Sequence, residues 1–433
     1  MSDVVRPPTP AAPTDAAQRR IGYRWTIVAL LFFATTINYI DRQVLGILAP
    51  TLQSELHWSE TDYAAIVSWF SFAYGFSLLF AGRIMDWLGS RRGFTLAIIV
   101  WSLAAMGHAF ARSVAGFSFA RAALGIGEAG NFPGANKTIA EWFPKKERAF
   151  AIGIFNAGSN VGAIVAPLLV PFLVLTWGWP SAFLVTGAIG FVWLGCWLLL
   201  YHEPGQHPRI SRQELEFIRS DPPEPGERMS WLGLFRYRQT WAFAIAKAMT
   251  DPVWLFYLFW LPKFLDADFG VKLTALAAPL VAIYLVADVG SVAGGWVSST
   301  LIKHGWSVNR GRKTAMLIAA CLIVPTMFAP QADSLWLAVA LVSVAAAAHQ
   351  WWSCNLFATV SDMFPKRAVG SVTGIGGFAG MMAAMTFQRT TGYLLETSGG
   401  NYQLIFNFLG LVYLAALLIV HLLVPRLEPV ELR

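Results

Sequence analysis

Apolar runs of about 20 residues recur along the whole chain and constrain its fold more than any other feature. A helix rises about 1.5 Å per residue, so each run is long enough to cross roughly 30 Å of hydrocarbon. Only 13% of the residues are charged, which is about half of the share in an ordinary soluble protein. The sequence therefore predicts an all-α membrane protein.

Twelve of these runs are candidate transmembrane helices, six before a polar segment and six after it. They cover residues 24–49, 61–84, 93–111, 115–140, 149–175, 179–202, 240–263, 275–301, 314–331, 335–360, 368–393 and 402–424. A shared Phe-Pro-Lys sequence, starting at Phe143 and at Phe364, follows the fourth span of each half. We therefore predict two six-helix halves, with a substrate site at their interface near the bilayer midplane.

Prolines at 204, 208, 222, 223 and 225 interrupt the apolar rhythm and indicate a cytoplasmic linker. Within it, Ser211 and Glu214 form a capping-box pattern that predicts a short surface helix. The predicted organisation is a disordered cytoplasmic tail (1–22), a first half (23–202), the linker (203–239), a second half (240–424) and a cytoplasmic tail (425–433).

The basic residues are distributed unevenly among the segments that connect the spans. If the amino terminus lies in the cytoplasm, outer segments hold only Arg112, Lys263, Lys272 and Arg389, and most other Lys and Arg fall inside. This bias predicts that both termini are cytoplasmic. It also explains the net charge of +7, so we expect no nucleic-acid partner.

Asp41 and Arg42 lie about 17 residues into the first predicted span, where charge is expensive. An ionisable group at the centre of a span costs about 2.5–3.5 kcal/mol, so it needs a partner or a water-filled cavity. The alternative is a helix that ends at Ile40, but residues 25–40 are slightly short for a crossing. Both residues are therefore candidates for function.

Arg121 and Glu128 in the fourth span are seven residues apart, close to two helical turns, so they share one face. Small residues between them permit close helix approach. We expect Arg121 to bind an anion and Glu128 to take up a proton, since burial disfavours the charged carboxylate. The alternative is a pair of interhelical salt bridges.

Further polar residues lie within other spans. Lys247 and Asp251 form an i, i+4 pair in the seventh span, although Lys247 could extend towards the membrane surface instead. The remaining candidates are Asn156 and Asn160 in the fifth span, Asp288 in the eighth, and His349, Gln350 and Asn355 in the tenth. The alternative interpretation is that each is a packed polar group of the core. Their similar depth in the membrane favours a common site.

Motifs of covalent catalysis and of nucleotide binding are absent from the sequence. There is no nucleophile elbow, no HExxH sequence, no phosphate loop and no dinucleotide fingerprint. The three cysteines have neither disulfide nor zinc-ligand spacing. We therefore expect no enzyme activity, no cofactor and no metal, and a transport process driven by an ion gradient.

The segment from Gly82 to Arg92, with Asp86, Gly89 and Arg91, resembles the loop signature of the major facilitator superfamily. In that family the Asp and the basic residues latch the cytoplasmic ends of helices, so the resemblance implies gating roles for Asp86, Arg91 and Arg92. The second half has a degenerate counterpart that ends at residues 310–313 and lacks the Asp. A symmetric latch is therefore not expected.

The segments 39–42, 121–133, 141–148 and 154–160 resemble the anion:cation symporter branch of that family. Segments 251–254, 260–262, 287–290 and 349–350 are similar to its hexuronate transporters. The resemblance implies import of galacturonate or glucuronate with protons, across the bacterial inner membrane, by a monomer.

The same resemblance implies roles for individual residues. Arg42 would bind the substrate carboxylate, Tyr74 and Asn156 would contact hydroxyls, and Asp41 and Glu128 would carry protons. Other expected substrate contacts are Tyr39, Arg121, Asn160, Lys247, His349, Gln350 and Asn355, and other expected gating or structural residues are Asp251 and Asp288. Gly376 and Gly377 stand where related symporters can carry an Asn.

Two alternatives remain open. In the first, the substrate is another organic anion, such as a hexonate, a glucarate-type diacid or an aromatic acid. In the second, the chain is a membrane sensor that binds a sugar acid without moving it, although the linker is too short to hold a signalling domain.

Overall fold

The computed structural model describes residues 22–220 and 231–430, and helices account for most of them. The predictions for residues 1–21, for the linker prolines at 222, 223 and 225, and for residues 431–433 lie outside the described residues.

Six helices form the first half of the chain. They are α1 (Arg24–Leu56), α2 (Glu60–Gly107), α3 (Val114–Glu128), α4 (Asn131–Trp142), α5 (Lys145–Trp177) and α6 (Trp179–Leu200). Helix α2 contains the second and third predicted spans and changes direction at Gly89, whose φ of 75° favours glycine. The fourth predicted span is divided between α3 and α4.

Two short helices and seven longer ones follow. They are α7 (Arg212–Ile218), α8 (Trp231–Leu234), α9 (Arg238–Phe259), α10 (Leu261–Phe269), α11 (Ala277–Lys303), α12 (Val308–Ile323), α13 (Leu335–Met363), α14 (Lys366–Thr397) and α15 (Gln403–Leu423). The seventh predicted span is interrupted at Trp260, between α9 and α10. The ninth continues beyond α12 as a 3₁₀ helix, Val324–Gln331, which contains Pro325 and Pro330.

Nine helical segments in the described part of the chain are long and apolar enough to cross a membrane. One of them, Glu60–Phe110, contains two predicted spans. The other predicted spans are α1, which carries Asp41 and Arg42, and α3 with α4, which carry Arg121 and Glu128. Helix α1 is long but carries these two charges in its interior, whereas α3 and α4, with 15 and 12 residues, are each too short to cross alone.

The linker helix α7 is attached to the first half. Ser211 caps it by accepting a hydrogen bond from the Glu214 amide, which confirms the predicted helix start. The Glu214 carboxylate accepts hydrogen bonds of 3.1 Å from the amides of Tyr23 and Arg24. It therefore satisfies two free N–H groups at the start of α1.

The two halves touch at one end of the bundle, which we call the Glu60 end. Hydrogen bonds and ion pairs join the halves there, between Lys263 and Glu60, the Thr61 amide and Glu396, Arg389 and Ser68, and Gln388 and Ser71. The backbones also approach closely, because a Cβ added to Gly46 of α1 would lie 2.5 Å from the Leu258 carbonyl oxygen of α9. These contacts close the Glu60 end.

Candidate functional site

Arg42 of α1 forms a buried ion pair with Glu128 at the end of α3. The Arg42 Nε and Nη2 atoms lie 2.8 Å and 2.7 Å from Glu128 Oε2, and the two side chains are 5% and 0% exposed. A charge-assisted contact of this kind is strong because both groups have lost water. Glu128 is therefore the internal anion that pairs with the Arg42 guanidinium.

Aromatic rings surround the rest of the Arg42 guanidinium. Its Cζ lies 4.8 Å from the ring centroid of Tyr39, 5.1 Å from that of Phe70 and 5.0 Å from that of Tyr74. Its Nη2 also donates to Asn38 Oδ1 at 3.4 Å. Cation–π attraction and burial hold the guanidinium in place while leaving it few competing polar partners.

Arg121 of α3 lies next to Arg42 but does not form an ion pair with Glu128. It is fully buried, and its Nη2 donates to the Arg42 carbonyl oxygen at 3.1 Å. Its Nε and Nη1 have no hydrogen-bond partner in the described residues. Rings of Phe70 and Phe259 lie 5.7 Å and 5.4 Å from its Cζ. Arg121 is thus a buried cation that retains unused N–H donors.

Asp41 is 2% exposed, and neither of its carboxylate oxygens has a hydrogen-bond partner among the residues described. The buried Thr186 hydroxyl of α6 lies beside it. A buried carboxylate is costly to keep charged unless it is paired. Asp41 therefore differs from Glu128, whose charge is compensated directly.

Lys247 and Asp251 of α9 form the i, i+4 pair that their spacing indicated. The Lys247 Nζ lies 2.8 Å from Asp251 Oδ2, and the two side chains are 11% and 14% exposed. The ammonium also lies 4.6 Å from the ring centroid of Phe357 in α13. Lys247 is therefore held inside the second half.

His349 and Asn355 of α13 are packed among neighbouring helices of the second half. His349 Nδ1 lies 2.5 Å from the Tyr413 hydroxyl, and its ring stacks on Trp254 at 5.2 Å. Asn355 Nδ2 donates to the Gly294 carbonyl oxygen of α11 at 3.1 Å. Gln350 and Asp288 are half-buried.

The two asparagines of α5 are more accessible. Asn156 is exposed and Asn160 is half-buried. The Ser159 hydroxyl donates to the Asn156 carbonyl oxygen at 2.6 Å and lies 3.3 Å from Asn160 Oδ1. Of the predicted site residues, the structure brings Tyr39, Arg42, Tyr74, Arg121 and Glu128 into one cluster, which we call the Arg42 cluster.

The Asp86 signature lies at the opposite end from Glu60. Asp86 Oδ1 accepts from Lys137 Nζ of α4 at 3.2 Å, and Lys137 also lies 3.5 Å from Glu141. Arg91 donates to the Leu198 carbonyl oxygen at 2.7 Å, and Arg92 is exposed. These contacts of Asp86 and Arg91 are made within the first half.

Two further residues, Asn38 and Phe70, contact Arg42 but were not singled out from the sequence. Asn38 lies four residues before Arg42, and Phe70 lies four residues before Tyr74. Residues at this spacing neighbour each other on a helix. Helical spacing from residues already suspected could therefore have found both, whereas Phe259, in the other half, carries no such signal.

The sequence profile of the Major Facilitator Superfamily matches residues 31–388. The chain belongs to this family. Its members are transporters rather than enzymes, and the fold of twelve helices in two halves is thereby confirmed. The fold is also similar to that of a bacterial homolog of the human lysosomal transporter Spinster, with a TM-score of 0.69 at 19% identity over 94% of this chain and 96% of that one.

Curated relatives cover most of the chain. The Hexuronate transporter of Escherichia coli strain K12 is 31% identical over 87% of this chain and 89% of its own. The Galacturonate transporter of Dickeya chrysanthemi is 34% identical over 70% of this chain and 90% of its own. The Probable galactarate/D-glucarate transporter GudP of Bacillus subtilis strain 168 is 30% identical over 98% and 96%.

Proposed function

We propose that the protein imports a hexuronate, galacturonate or glucuronate, together with protons. The observation that carries the proposal is the Arg42 cluster, a buried guanidinium held by one carboxylate and enclosed by aromatic rings. A guanidinium fork suits a carboxylate ligand. The relatives named for hexuronate and galacturonate support the choice of substrate.

Glu128 and the substrate compete for Arg42 in this mechanism. While Glu128 is ionised, its Oε2 occupies two nitrogens of Arg42. Protonation of Glu128 removes the opposing charge and frees the guanidinium for the substrate carboxylate. Binding of the anion therefore requires a proton at Glu128, which couples the two fluxes.

Asp41 is the second proposed proton carrier. It lies directly before Arg42 in α1, and its oxygens have no hydrogen-bond partner within residues 22–220 and 231–430. Arg121 nearby supplies a compensating positive charge when Asp41 is ionised. Tyr74 and Asn156 are the proposed contacts of sugar hydroxyls, with Tyr39 and Asn160 beside them.

Alternating access completes the proposed cycle. The Glu60 end is closed by contacts between the halves, so we assign the structure to a state in which substrate leaves at the Asp86 end. With the orientation expected from the basic residues, the Asp86 end faces the cytoplasm. The protein is proposed to act as a monomer in the bacterial inner membrane, with both termini inside.

Counterflow in proteoliposomes tests the proposed substrate. Vesicles loaded with unlabelled galacturonate should accumulate labelled galacturonate, and vesicles loaded with lactate serve as the control. An imposed inward proton gradient should drive net uptake, and a protonophore should abolish it. Absence of exchange with every uronate would refute the hexuronate assignment, and binding without uptake would favour a sensor.

A second candidate is a symporter of a different sugar acid. Relatives named D-galactonate transporter and Probable galactarate/D-glucarate transporter GarP are 30% and 29% identical to this chain. The same counterflow assay separates these substrates, because unlabelled hexonates, aldarates and aromatic acids can replace the uronate inside the vesicles.

A further inference from the structure

The Lys247–Asp251 pair has a polar surface that the ion pair itself does not use. An ammonium has three N–H donors, and the hydrogen bond of Lys247 goes to Asp251 Oδ2 at 2.8 Å. Both side chains keep part of their surface accessible, 11% for Lys247 and 14% for Asp251. The pair can therefore contact a ligand without first being broken.

Two glycines of α14 make room for this pair. A Cβ added to Gly380 would lie 2.2 Å from Asp251 Oδ2, and one added to Gly376 would lie 3.3 Å from Lys247 Cγ. A side chain at position 380 would push Asp251 out of place, whereas one at position 376 would first clash with Phe243, whose Cε1 would lie 2.2 Å away. The position of both charges is thus fixed by the contact between α9 and α14.

The pair lies near the contact between α14 and α2, the helix whose Tyr74 ring covers Arg42. A Cβ on Gly75, the residue after Tyr74, would lie 2.7 Å from Met381 Cβ, and Met381 is the residue after Gly380, where an added Cβ would meet Asp251. The two ion pairs therefore lie on either side of this contact between the halves.

We propose that the Lys247–Asp251 pair contacts the end of the sugar acid that is remote from the carboxylate bound by Arg42, and that Asp251 makes this contact selective for monocarboxylates. The inference rests on the proposed function. Lys247 donates to a hydroxyl or carbonyl oxygen of the sugar, and the free oxygen of Asp251 accepts from a hydroxyl.

The electrostatic reason lies in the neutrality of the pair. A neutral sugar end finds a donor and an acceptor there. A second carboxylate would instead meet the negative charge of Asp251, and the positive charge of Lys247 is already compensated. Like charges in contact are strongly unfavourable, so dicarboxylates are excluded.

Competition between two matched probes tests this inference. Galacturonate and galactarate share their hydroxyl configuration, and galactarate carries a second carboxylate where galacturonate has its carbonyl end. The measurement is inhibition of labelled galacturonate counterflow by each unlabelled acid, for the wild type and for Asp251→Asn. We expect the substitution to improve the potency of galactarate relative to galacturonate by roughly tenfold or more.

Two control variants make the result specific. Asp288→Asn removes another half-buried acid of the second half. It should leave the potency of galactarate relative to galacturonate at the wild-type value. The double variant Lys247→Gln with Asp251→Asn removes both charges, so galactarate should gain less potency than in Asp251→Asn, where the unpaired ammonium also attracts the second carboxylate. A gain of galactarate potency in Asp288→Asn, or a gain in the double variant as large as in Asp251→Asn, would overturn the inference.

Other outcomes separate the inference from the proposed function. If the wild type exchanges uronates but Asp251→Asn leaves the ratio unchanged, the inference fails and the proposed function stands. If the wild type exchanges no uronate, the proposed function fails. If Asp251→Asn does not fold, Lys247→Gln decides, because the uncompensated Asp251 should then discriminate against galactarate even more strongly than in the wild type.

Discussion

Arg42 sits between two possible anions, the internal Glu128 carboxylate and the proposed substrate carboxylate. Removing one partner of a buried ion pair costs about 3–5 kcal/mol when the other partner stays charged and unpaired. A proton on Glu128 would therefore be very unfavourable unless another anion reached Arg42 at the same time. This energetic linkage is the basis for the proposed symport.

Glu128→Gln tests the coupling at this residue. The amide cannot be ionised, so Arg42 stays available but no proton is exchanged. We expect gradient-driven uptake to fall by at least tenfold, the scale of a lost proton-transfer group, while counterflow exchange persists. Glu147→Gln, at the partly buried ion pair with Arg24, is the matched control. Equal loss of both activities would mean that Glu128 has a structural role.

Arg42→Lys tests the geometry of the guanidinium. A lysine keeps the charge but cannot present two parallel N–H groups to a carboxylate. We expect an affinity loss of about 1.5–3 kcal/mol, the range for hydrogen bonds to charged groups, measured as the counterflow KM for galacturonate. An unchanged KM would remove Arg42 from the substrate site.

Sequence alone identified the charged residues but not their pairing. Arg121 and Glu128 share a helix face by their spacing, yet Glu128 binds Arg42, which is 86 residues away. Helical periodicity reports neighbours within one helix only. The pairing of side chains from α1 and α3 depends on how the helices pack, and that information is not local.

At the scale of helices, close backbone contact explains several glycines. Gly125 and Gly127 of α3 allow close approach to α2, because an added Cβ would lie 2.7 Å from the Phe70 carbonyl oxygen or 2.5 Å from the Trp101 amide. This contact was expected from the small residues between Arg121 and Glu128. It also brings Phe70 beside the two arginines.

Gly46→Ala tests a contact between helices of opposite halves. An added Cβ would lie 2.5 Å from the Leu258 carbonyl oxygen, so α1 and α9 could not approach as they do here. We expect the closed Glu60 end to be disfavoured and the rate of uptake to fall severalfold. Gly195→Ala in α6, with open space at its Cβ, is the control. Equal uptake by both variants would contradict this explanation.

Apolar runs predicted the number of crossings well but their internal breaks poorly. The change of direction at Gly89 falls in the charged segment that separates the second and third predicted spans. The interruption at Trp260 falls instead inside the seventh predicted span and leaves its apolar composition nearly unchanged. A break of this kind depends on backbone angles and on contacts with other helices. Hydropathy indicates only whether a segment is long and apolar enough to span the membrane.

At the scale of the whole molecule, the halves must separate at the Glu60 end during each transport cycle. The ion pair between Lys263 and Glu60 is partly buried and joins α10 to the start of α2. Its strength therefore contributes to the balance between the two access states. The hydrogen bond from the Thr61 amide to Glu396 acts across the same boundary.

Lys263→Gln should shift that balance towards opening at the Glu60 end. The amide retains a donor but loses the charge, and we expect a change of about 1–3 kcal/mol in the equilibrium. Spin labels at the start of α2 and at the end of α14, both at the Glu60 end, would report longer distances in pulsed electron resonance. Lys272→Gln, which breaks the ion pair with Asp266, is the control. Unchanged distances would show that Lys263 does not lock the end.

The internal pairing of charges also has an electrical consequence. Moving one elementary charge through the membrane field changes the free energy by about 2.3 kcal/mol per 100 mV. Arg42, Arg121 and Lys247 are balanced within the bundle by Glu128, Asp41 and Asp251 when these acids are ionised. The empty carrier would then reorient with little net charge in motion. A carrier loaded with one substrate anion and with protons on both Glu128 and Asp41 would hold one additional positive charge, so the membrane voltage should act mainly on the loaded step.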